Sequence, residues 1–176
     1  MKFSETQLKG AYFIEIEKLS DDRGFFARSW CQKEFEDHGL ESGFVQANVS
    51  YNLKKGTIRG MHYQIAPYQE CKLIRCTRGA IYDVIIDLRP DSPTYKQWAG
   101  VELTADNYIM FFVPEDFAHG FQTLTDKTEI TYQVSQFYTP GAEKGIRFND
   151  PEFNIQWPLE ATIISDKDNT WPDFVD

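Results

Sequence analysis

The sequence predicts an all-β fold, a sandwich or barrel of antiparallel strands, with one or two short helices at its periphery. Turn signals such as Asp22-Arg23-Gly24 recur at short intervals along the chain. The runs between them are short and rich in β-branched residues, and aromatic residues make up 15% of the chain, a composition that favours strands. Because we find no repeat, linker or low-complexity tract, the 176 residues fit a single domain over 1–176.

Three runs have the clearest strand pattern: residues 71–77, 81–88 and 129–135. In the second run, alternate positions from Tyr82 to Leu88 are all apolar, while Asp83 and Asp87 lie on the other face with two isoleucines. We therefore expect a strand with one strongly apolar face. In the third run, Tyr132 alternates with polar residues and shares parity with two aliphatic side chains, so its ring is expected to face inward.

One helix is predicted over residues 30–38. Ser29, with Gln32 three positions later, resembles a capping box. Gly39 can end the helix in the left-handed conformation. The stretch 149–176 has no clear period and is expected to be irregular, with one short helix.

Composition and charge exclude several function classes. The net charge of −9 and the pI near 4.8 argue against general nucleic-acid binding, which needs a basic surface. The longest purely apolar run, Ile109–Val113, is far shorter than the ~20 residues of a membrane-spanning helix. Residues 1–6 do not read as a signal peptide. The three cysteines, Cys31, Cys71 and Cys76, form no CxxC and indicate packing residues in a reducing compartment, so we expect a cytoplasmic protein.

One window of the sequence has an unusual charge. Between Lys54 and Arg78 there are six basic residues and one acidic residue, so this window carries +5 and the rest of the chain −14. A local positive field in an acidic protein indicates a bound anion, such as a phosphate or a carboxylate. The alternative interpretation is a solvated, salt-bridged strand face that needs no ligand.

Two of the three histidines are candidate functional residues. His38 lies at the end of the predicted helix, where a cation suits the helix dipole, and is interpreted as structural or exposed. His62 and His119 each lie next to or near a glycine in a strand-like context, which indicates close approach of backbone or ligand.

Two reaction types fit these residues. In the first, His62, His119 and Glu70 bind a metal, since imidazole and carboxylate suit zinc, iron, manganese or nickel. In the second, His62 is a general base at neutral pH. Lys72 then stabilises an enolate oxygen, and the inward Tyr132 returns a proton. Composition alone does not choose between the two schemes.

Nine short strings, taken together, are specific to one family. The strings cover residues 22–26, 46–50, 56–64, 72–75, 87–94, 114–121, 137–140, 149–151 and 165–168. They run in the same order over nearly the whole chain. The chain resembles the nucleotide-sugar 4-keto-6-deoxyhexose 3,5-epimerases, the dTDP-4-dehydrorhamnose 3,5-epimerase family.

The resemblance implies a fold, a substrate and a mechanism. The fold is a cupin-type jelly roll that forms a homodimer through its sheets and needs no metal or other cofactor. The substrate is a nucleotide-diphosphate sugar with a C4 ketone, which makes the hydrogens on C3 and C5 acidic. The positions match His62 to the base, Asp168 to the carboxylate that orients it, and Lys72 to the enolate-stabilising group. Tyr132 matches the acid that donates a proton from the opposite face.

The resemblance also implies a set of substrate contacts. Arg59 and Arg23 match diphosphate or nucleotide contacts, and Tyr138 matches an aromatic residue that stacks on the nucleotide base. The remaining matched positions, on or near the substrate or nucleotide, are Phe26, Arg28, Gln46, Asn48, His119, Glu143 and Lys167.

Three positions depart from the family pattern. Arg28 stands where the family usually has a glutamate, Ala47 where an aspartate is common, and Val49 where a histidine is common. The nucleotide is therefore open between dTDP, the default, and CDP or GDP. Inversion of C3, of C5 or of both is also open, because base and acid are common to all three outcomes.

One structural expectation, one departure from metal-binding cupins and two alternatives follow. Arg59 and His62 have opposite parity on an ideal strand, so a shared site requires a bulge at Gly60. Metal-binding cupins usually place a second histidine two residues after the first, and that position is Gln64 here. The alternatives are a metal-dependent cupin isomerase or oxygenase that uses His62, Glu70 and His119, and a sugar-binding jelly roll without catalysis.

Overall fold

A computed structural model describes residues 1–175 and shows thirteen strands and two short helices over that range. The strands are β1 Lys2–Glu5, β2 Tyr12–Glu15, β3 Leu19–Asp21, β4 Gly24–Phe26, β5 Gln46–Asn52, β6 Ile58–Gln64, β7 Lys72–Arg78, β8 Ala80–Asp87, β9 Trp98–Thr104, β10 Ile109–Val113, β11 Phe117–Thr123, β12 Thr128–Val134 and β13 Glu143–Gly145. The helices are α1 Gln32–Asp37 and α2 Asp166–Asn169. The predicted all-β class with short helices is confirmed.

The strands form two sheets and a separate hairpin. One sheet has six strands in the order β1-β2-β10-β7-β12-β5, and the other has five in the order β13-β6-β11-β8-β9. The β3–β4 hairpin forms a third, two-stranded ribbon. Every strand pair in these sheets is antiparallel. The expected antiparallel jelly roll is therefore present.

The central core lies between the two sheets. Ile74 and Phe111 from the six-stranded sheet pack with Ile81, Ile85 and Leu103 from the five-stranded sheet, and all five are fully buried. Alternation along each strand brings these side chains to the inner faces. Tyr132 packs against the same cluster, so the prediction that it faces inward is confirmed.

The outer faces of both sheets are also covered. The cluster under the C-terminal segment packs Val84 and Ile86 with Phe153 and Ile155. On the other side, Phe35 of α1 is fully buried against the six-stranded sheet. Strand β8 is therefore buried on both faces, and the expectation of a single apolar face is too simple.

The helix α1 differs from the prediction in how it begins. It starts after Cys31, whose extended backbone forms the N-cap without a side-chain hydrogen bond, so the expected capping box of Ser29 and Gln32 is wrong. The helix ends as expected, because Gly39 has a φ of +69°. His38 is the C-cap; its ring stacks on Phe3, which makes it structural.

Two of the three cysteines are buried, as expected of packing residues. Cys71 and Cys76 are free and buried, and Cys31 is half-buried. Burial is the main cause that raises the pKa of the Cys71 thiol to about 12 and that of Cys76 to about 11. Over residues 1–175, neither helix has the length and apolarity needed to cross a membrane.

Candidate active site

A cleft lies between the two sheets, at the end where the C-terminal segment folds back. One part is a cavity of about 380 Å³ and the adjoining part measures about 260 Å³. His62, Lys72 and Tyr132 line both parts. We call the two parts together the cleft. Its other predicted residues are Arg59, His119 and Asp168 in the first part and Gln46, Asn48, Tyr138 and Glu143 in the second.

A bulge in β6 allows Arg59 and His62 to share the cleft. On the neighbouring strand β11, His119 lies opposite His62 and Phe121 lies opposite Arg59. Two residues separate the partners on β6 but only one separates them on β11, so β6 contains an extra residue. Gly60 occupies it with a φ of +116°, and a Cβ there would lie 2.5 Å from the Cα of Gly120. The expected bulge is confirmed, and only glycine fits its close backbone approach.

His62 is paired with a carboxylate from the distant C-terminal segment. Its Nε2 lies 2.6 Å from Oδ1 of Asp168, which α2 supplies. Oδ2 of Asp168 accepts the backbone N–H of Gly60 at 3.3 Å. Burial alone would raise the pKa of Asp168, but the hydrogen bond and charge of His62, aided by Gly60 and Ser165, lower it overall. Asp168 is therefore ionised at neutral pH and can fix the orientation of the imidazole.

A second histidine–aspartate pair lies beside the first. Nε2 of His119 is 2.8 Å from Oδ1 of Asp83. Asp83 is fully buried on the inner face of β8, and its Oδ2 has no hydrogen-bond partner. Burial raises the pKa of Asp83 despite the opposing effects of His119 and Lys72. The carboxyl of this pair is thus held in an environment that disfavours its charge.

Lys72 contributes a buried positive charge to the cleft. Its side chain is 8% exposed, and its Nζ lies 2.8 Å from Oε1 of Glu70, itself 13% exposed. An ammonium that is nearly buried, and so poorly screened by water, interacts strongly with a developing negative charge. Lys72 therefore fits the stabilisation of an oxyanion inside the cleft.

Tyr132 lines the cleft from the six-stranded sheet, on β12, which lies between β7 and the edge strand β5. It lies between Asn48 of β5 and Ile74 of β7. Burial, followed by the negative charge of Glu70, raises the pKa of the Tyr132 phenol. The phenol therefore stays protonated at neutral pH and is able to donate a proton.

The outer part of the cleft is polar and its groups contact one another. Oε1 of Gln46 accepts the backbone N–H of Tyr138 at 3.0 Å, and the Tyr138 hydroxyl donates to Glu143 at 3.3 Å. Lys167 also contacts Glu143, at 2.5 Å. The Tyr138 side chain is 60% exposed, so its ring is open to a ligand at the mouth.

Three predicted residues lie away from the cleft of their own chain. Arg23 is in the β3–β4 turn, where it pairs with Asp21 and is almost fully exposed. Phe26 and Arg28 line a separate cavity of about 300 Å³ near the N-terminus. Arg28 donates to Glu34, which also binds the N-terminal ammonium. The assignment of these residues to the nucleotide stays a prediction.

The ligand set of the metal alternative does not assemble. Glu70 is paired with Lys72, whereas His62 and His119 are each paired with a different aspartate. Within the described part of the chain, no group of three His, Cys, Asp or Glu side chains is arranged to hold a metal ion.

The sequence does not point to a functional role for two polar residues, Gln64 in the cleft wall and Asp83 behind His119. Asp83 has a weak signal in the sequence, because a carboxylate shares a strand face with two isoleucines. For Gln64 the sequence indicates only that it stands where a metal-binding cupin has a histidine, yet Gln64 is buried and donates to Glu70. For Glu70 the sequence indicates only a metal ligand, whereas its carboxylate pairs with Lys72.

Comparison with known sequences identifies the family. The sequence model described as dTDP-4-dehydrorhamnose 3,5-epimerase matches residues 5–176. The chain belongs to this family. A dTDP-4-dehydrorhamnose 3,5-epimerase of Shigella flexneri is 42% identical over 100% of this chain and 97% of the relative. One from Methanothermobacter thermautotrophicus is 43% identical over 97% and 92%.

Solved structures of the family have the same fold. The crystal structure of the Bacillus anthracis dTDP-4-dehydrorhamnose 3,5-epimerase, with TDP and pyrophosphate bound, has a TM-score of 0.94 and 47% identity, covering 98% of this chain and 99% of that one. A Legionella pneumophila epimerase in complex with dTDP-4-keto-L-rhamnose has a TM-score of 0.88 and 37% identity, covering 95% and 89%. The resemblance stated from the short strings is confirmed.

Proposed function

We propose that this protein is a metal-independent epimerase that inverts C3 and C5 of a dTDP-linked 4-keto-6-deoxyhexose. One observation carries the proposal: His62 and Tyr132 line the same cleft from opposite sheets. Lys72 also lines both parts of this cleft. A base and an acid on opposite sides of a sugar ring are what an inversion requires. The proposal assigns the chain to deoxysugar biosynthesis.

The first step is removal of a proton next to the ketone. Because Asp168 is ionised and accepts from Nε2 of His62, Nδ1 of the neutral ring holds the free lone pair. Nδ1 takes the proton from C3 or C5, and the electron pair of the broken C–H bond moves into the ring to form an enolate with its charge on O4. The Asp168 carboxylate stabilises the resulting imidazolium.

The second step is stabilisation and reprotonation. The Lys72 ammonium faces the enolate oxygen, which carries the charge that develops in the transition state. Tyr132 then gives its phenolic proton to the opposite face of the carbon, and the C–H bond forms again with inverted configuration. The tyrosinate regains a proton from solvent, and His62 releases its own, so both groups return to their starting states.

The base of the nucleotide is assigned to Tyr138 in the second part of the cleft, and the diphosphate to Arg59 in the first part. Exposed Tyr138 offers a ring for stacking on the base, and Arg59, which donates to Asn52 at 2.7 Å, offers charge to the diphosphate. The ligands of the B. anthracis and L. pneumophila structures, TDP and a dTDP-sugar, support dTDP.

The active form is proposed to be a homodimer in the cytoplasm. Arg23 and Phe26 lie on a hairpin that is largely exposed and outside the cleft of its own chain. If these residues contact the nucleotide, they do so at the cleft of a second copy. Reduced, buried thiols are consistent with a reducing compartment.

Proton exchange in deuterated water tests the function. We expect the protein, incubated with a dTDP-4-keto-6-deoxyhexose, to place deuterium at both C3 and C5, as observed by NMR. The same exchange is expected after treatment with a chelator. The proposal is overturned if no exchange occurs, or if activity is lost on chelation and restored by a metal.

A further inference from the structure

A chain of polar contacts that the proposed mechanism does not use runs along one wall of the cleft. It begins at Lys72, whose Nζ lies 2.8 Å from Oε1 of Glu70. The other carboxylate oxygen of Glu70 accepts from Nε2 of Gln64 at 3.2 Å. Gln64 is 3% exposed, so its amide is committed to partners inside the protein.

The same amide reaches the segment that carries Tyr138. Nε2 of Gln64 lies 3.1 Å from the carbonyl of Tyr68 and 3.3 Å from that of Phe137, and Oε1 accepts the backbone N–H of Thr139 at 2.8 Å. Gln64 thus contacts the residues on both sides of Tyr138. One side chain therefore joins the lysine at the sugar end of the cleft to the aromatic residue at its mouth.

The physical properties of lysine make such a support useful. Its ammonium is a point charge on a flexible stem with no preferred direction. In a nearly buried position, the ammonium also needs a counter-charge, because an unpaired buried charge is costly. Glu70 supplies the charge and fixes where Nζ lies, and Gln64 fixes where the Glu70 carboxylate lies.

We propose that Glu70 and Gln64 are positioning residues, which hold Lys72 against the enolate oxygen and tie its placement to the loop that binds the nucleotide. The inference rests on the proposed function, since it deepens the account of that site. Neither residue transfers a proton; both act through Lys72, and Gln64 acts through Tyr138 as well.

The test compares two variants with matched controls. Glu70→Gln removes the counter-charge of Lys72. Gln64→Leu removes the hydrogen bonds to Glu70 and to the residues on both sides of Tyr138, and leucine has a side chain of similar volume. Glu102→Gln changes an exposed glutamate elsewhere. Gln122→Leu removes a fully buried glutamine that bonds the backbone of Leu159 through both its amide atoms, so it reproduces the structural cost at a different place.

We expect different kinetic signatures from the two variants. Glu70→Gln should lower kcat by about 10²-fold, the effect of misplacing a catalytic group by roughly 1 Å, while KM changes little. Gln64→Leu should lower kcat and also raise KM by about fivefold, the effect of losing one hydrogen bond. If Gln64→Leu does not fold, Gln64→Glu keeps the acceptor for Thr139 but loses the donor, and should affect mainly kcat.

A spectroscopic signal tests the placement independently of turnover. The ¹H–¹⁵N signal of the Lys72 ammonium, assigned by its loss in Lys72→Met, should shift in Glu70→Gln and Gln64→Leu but not in the two controls. Unchanged kinetics and an unchanged signal in both variants would overturn the inference. Failure of the unaltered protein to turn over substrate would overturn the proposed function alone, and the ammonium signal would then decide the placement of Lys72.

Discussion

Two histidine–aspartate pairs lie on neighbouring strands, with His62 of β6 directly opposite His119 of β11. The contacts are similar in length, 2.6 Å to Asp168 and 2.8 Å to Asp83. The carboxylates differ in their surroundings. Asp168 accepts a hydrogen bond from a backbone N–H, and its pKa is lowered. Asp83 is fully buried, and its pKa is raised.

The difference shows how one residue pair can serve two purposes. An ionised aspartate holds the imidazole in one tautomer and stabilises the charge that a base acquires. A carboxyl whose ionisation is opposed by burial gives less of that stabilisation. The side chain of His62 is also 32% exposed against 11% for His119. The first pair is suited to proton abstraction and the second to holding a substrate oxygen.

The largest expected effect is the loss of the charged partner of His62. Asp168→Asn keeps the shape but removes the charge and allows the wrong tautomer, so kcat should fall by about 10³- to 10⁴-fold. Asp83→Asn should lower kcat by no more than about tenfold, since the carboxyl it replaces is poorly stabilised as an anion.

Steady-state kinetics on both variants measures this contrast. The exposed neighbour Asp166, changed to Asn, is the control for altering charge in the same short helix. Equal losses in Asp168→Asn and Asp83→Asn would remove the distinction between the pairs.

A smaller effect is expected in the pH dependence of stability. The lowered pKa of Asp168 means that its contribution to the free energy of unfolding is present above the ordinary aspartate range, near 4, and is lost as the pH falls below it. The raised pKa of Asp83 means the reverse: its contribution is present at low pH and is lost as the pH rises above that range.

Denaturant unfolding at several pH values measures how the stability difference between each variant and the unaltered protein changes with pH. The change for each variant is one slope. The stability difference between the unaltered protein and Asp168→Asn should grow with rising pH, and the difference for Asp83→Asn should shrink. Two slopes of the same sign would show that the two environments do not differ as described.

Local sequence patterns predicted the features that depend on neighbouring residues. Strand parity placed Tyr132 on the inner face, and the spacing of Arg59 and His62 required the bulge at Gly60. Both follow from the two-residue period of a strand. Gly39, which follows the end of α1, could also be predicted, because a left-handed helix cap depends on the residue at one position.

Contacts between distant segments had no such signal. Asp168 is 106 residues from His62 and lies in a stretch without periodicity, so only the family resemblance pointed to it. Even over two residues, the sequence indicates Glu70 as a metal ligand beside two histidines and does not show that its carboxylate pairs with Lys72. The sequence predicts a helix cap at Ser29, whereas the helix begins after Cys31, which makes no side-chain cap hydrogen bond.

The most direct test of the central claim, that His62 rather than His119 is the base, is deuterium exchange with the two histidine variants. The unaltered protein, His62→Asn and His119→Asn are each incubated with the dTDP-4-keto-6-deoxyhexose in deuterated water, and deuterium at C3 and C5 is followed by NMR. We predict that exchange at both carbons is lost in His62→Asn and continues, more slowly, in His119→Asn. Continued exchange in His62→Asn, or its complete loss in His119→Asn alone, would contradict the assignment.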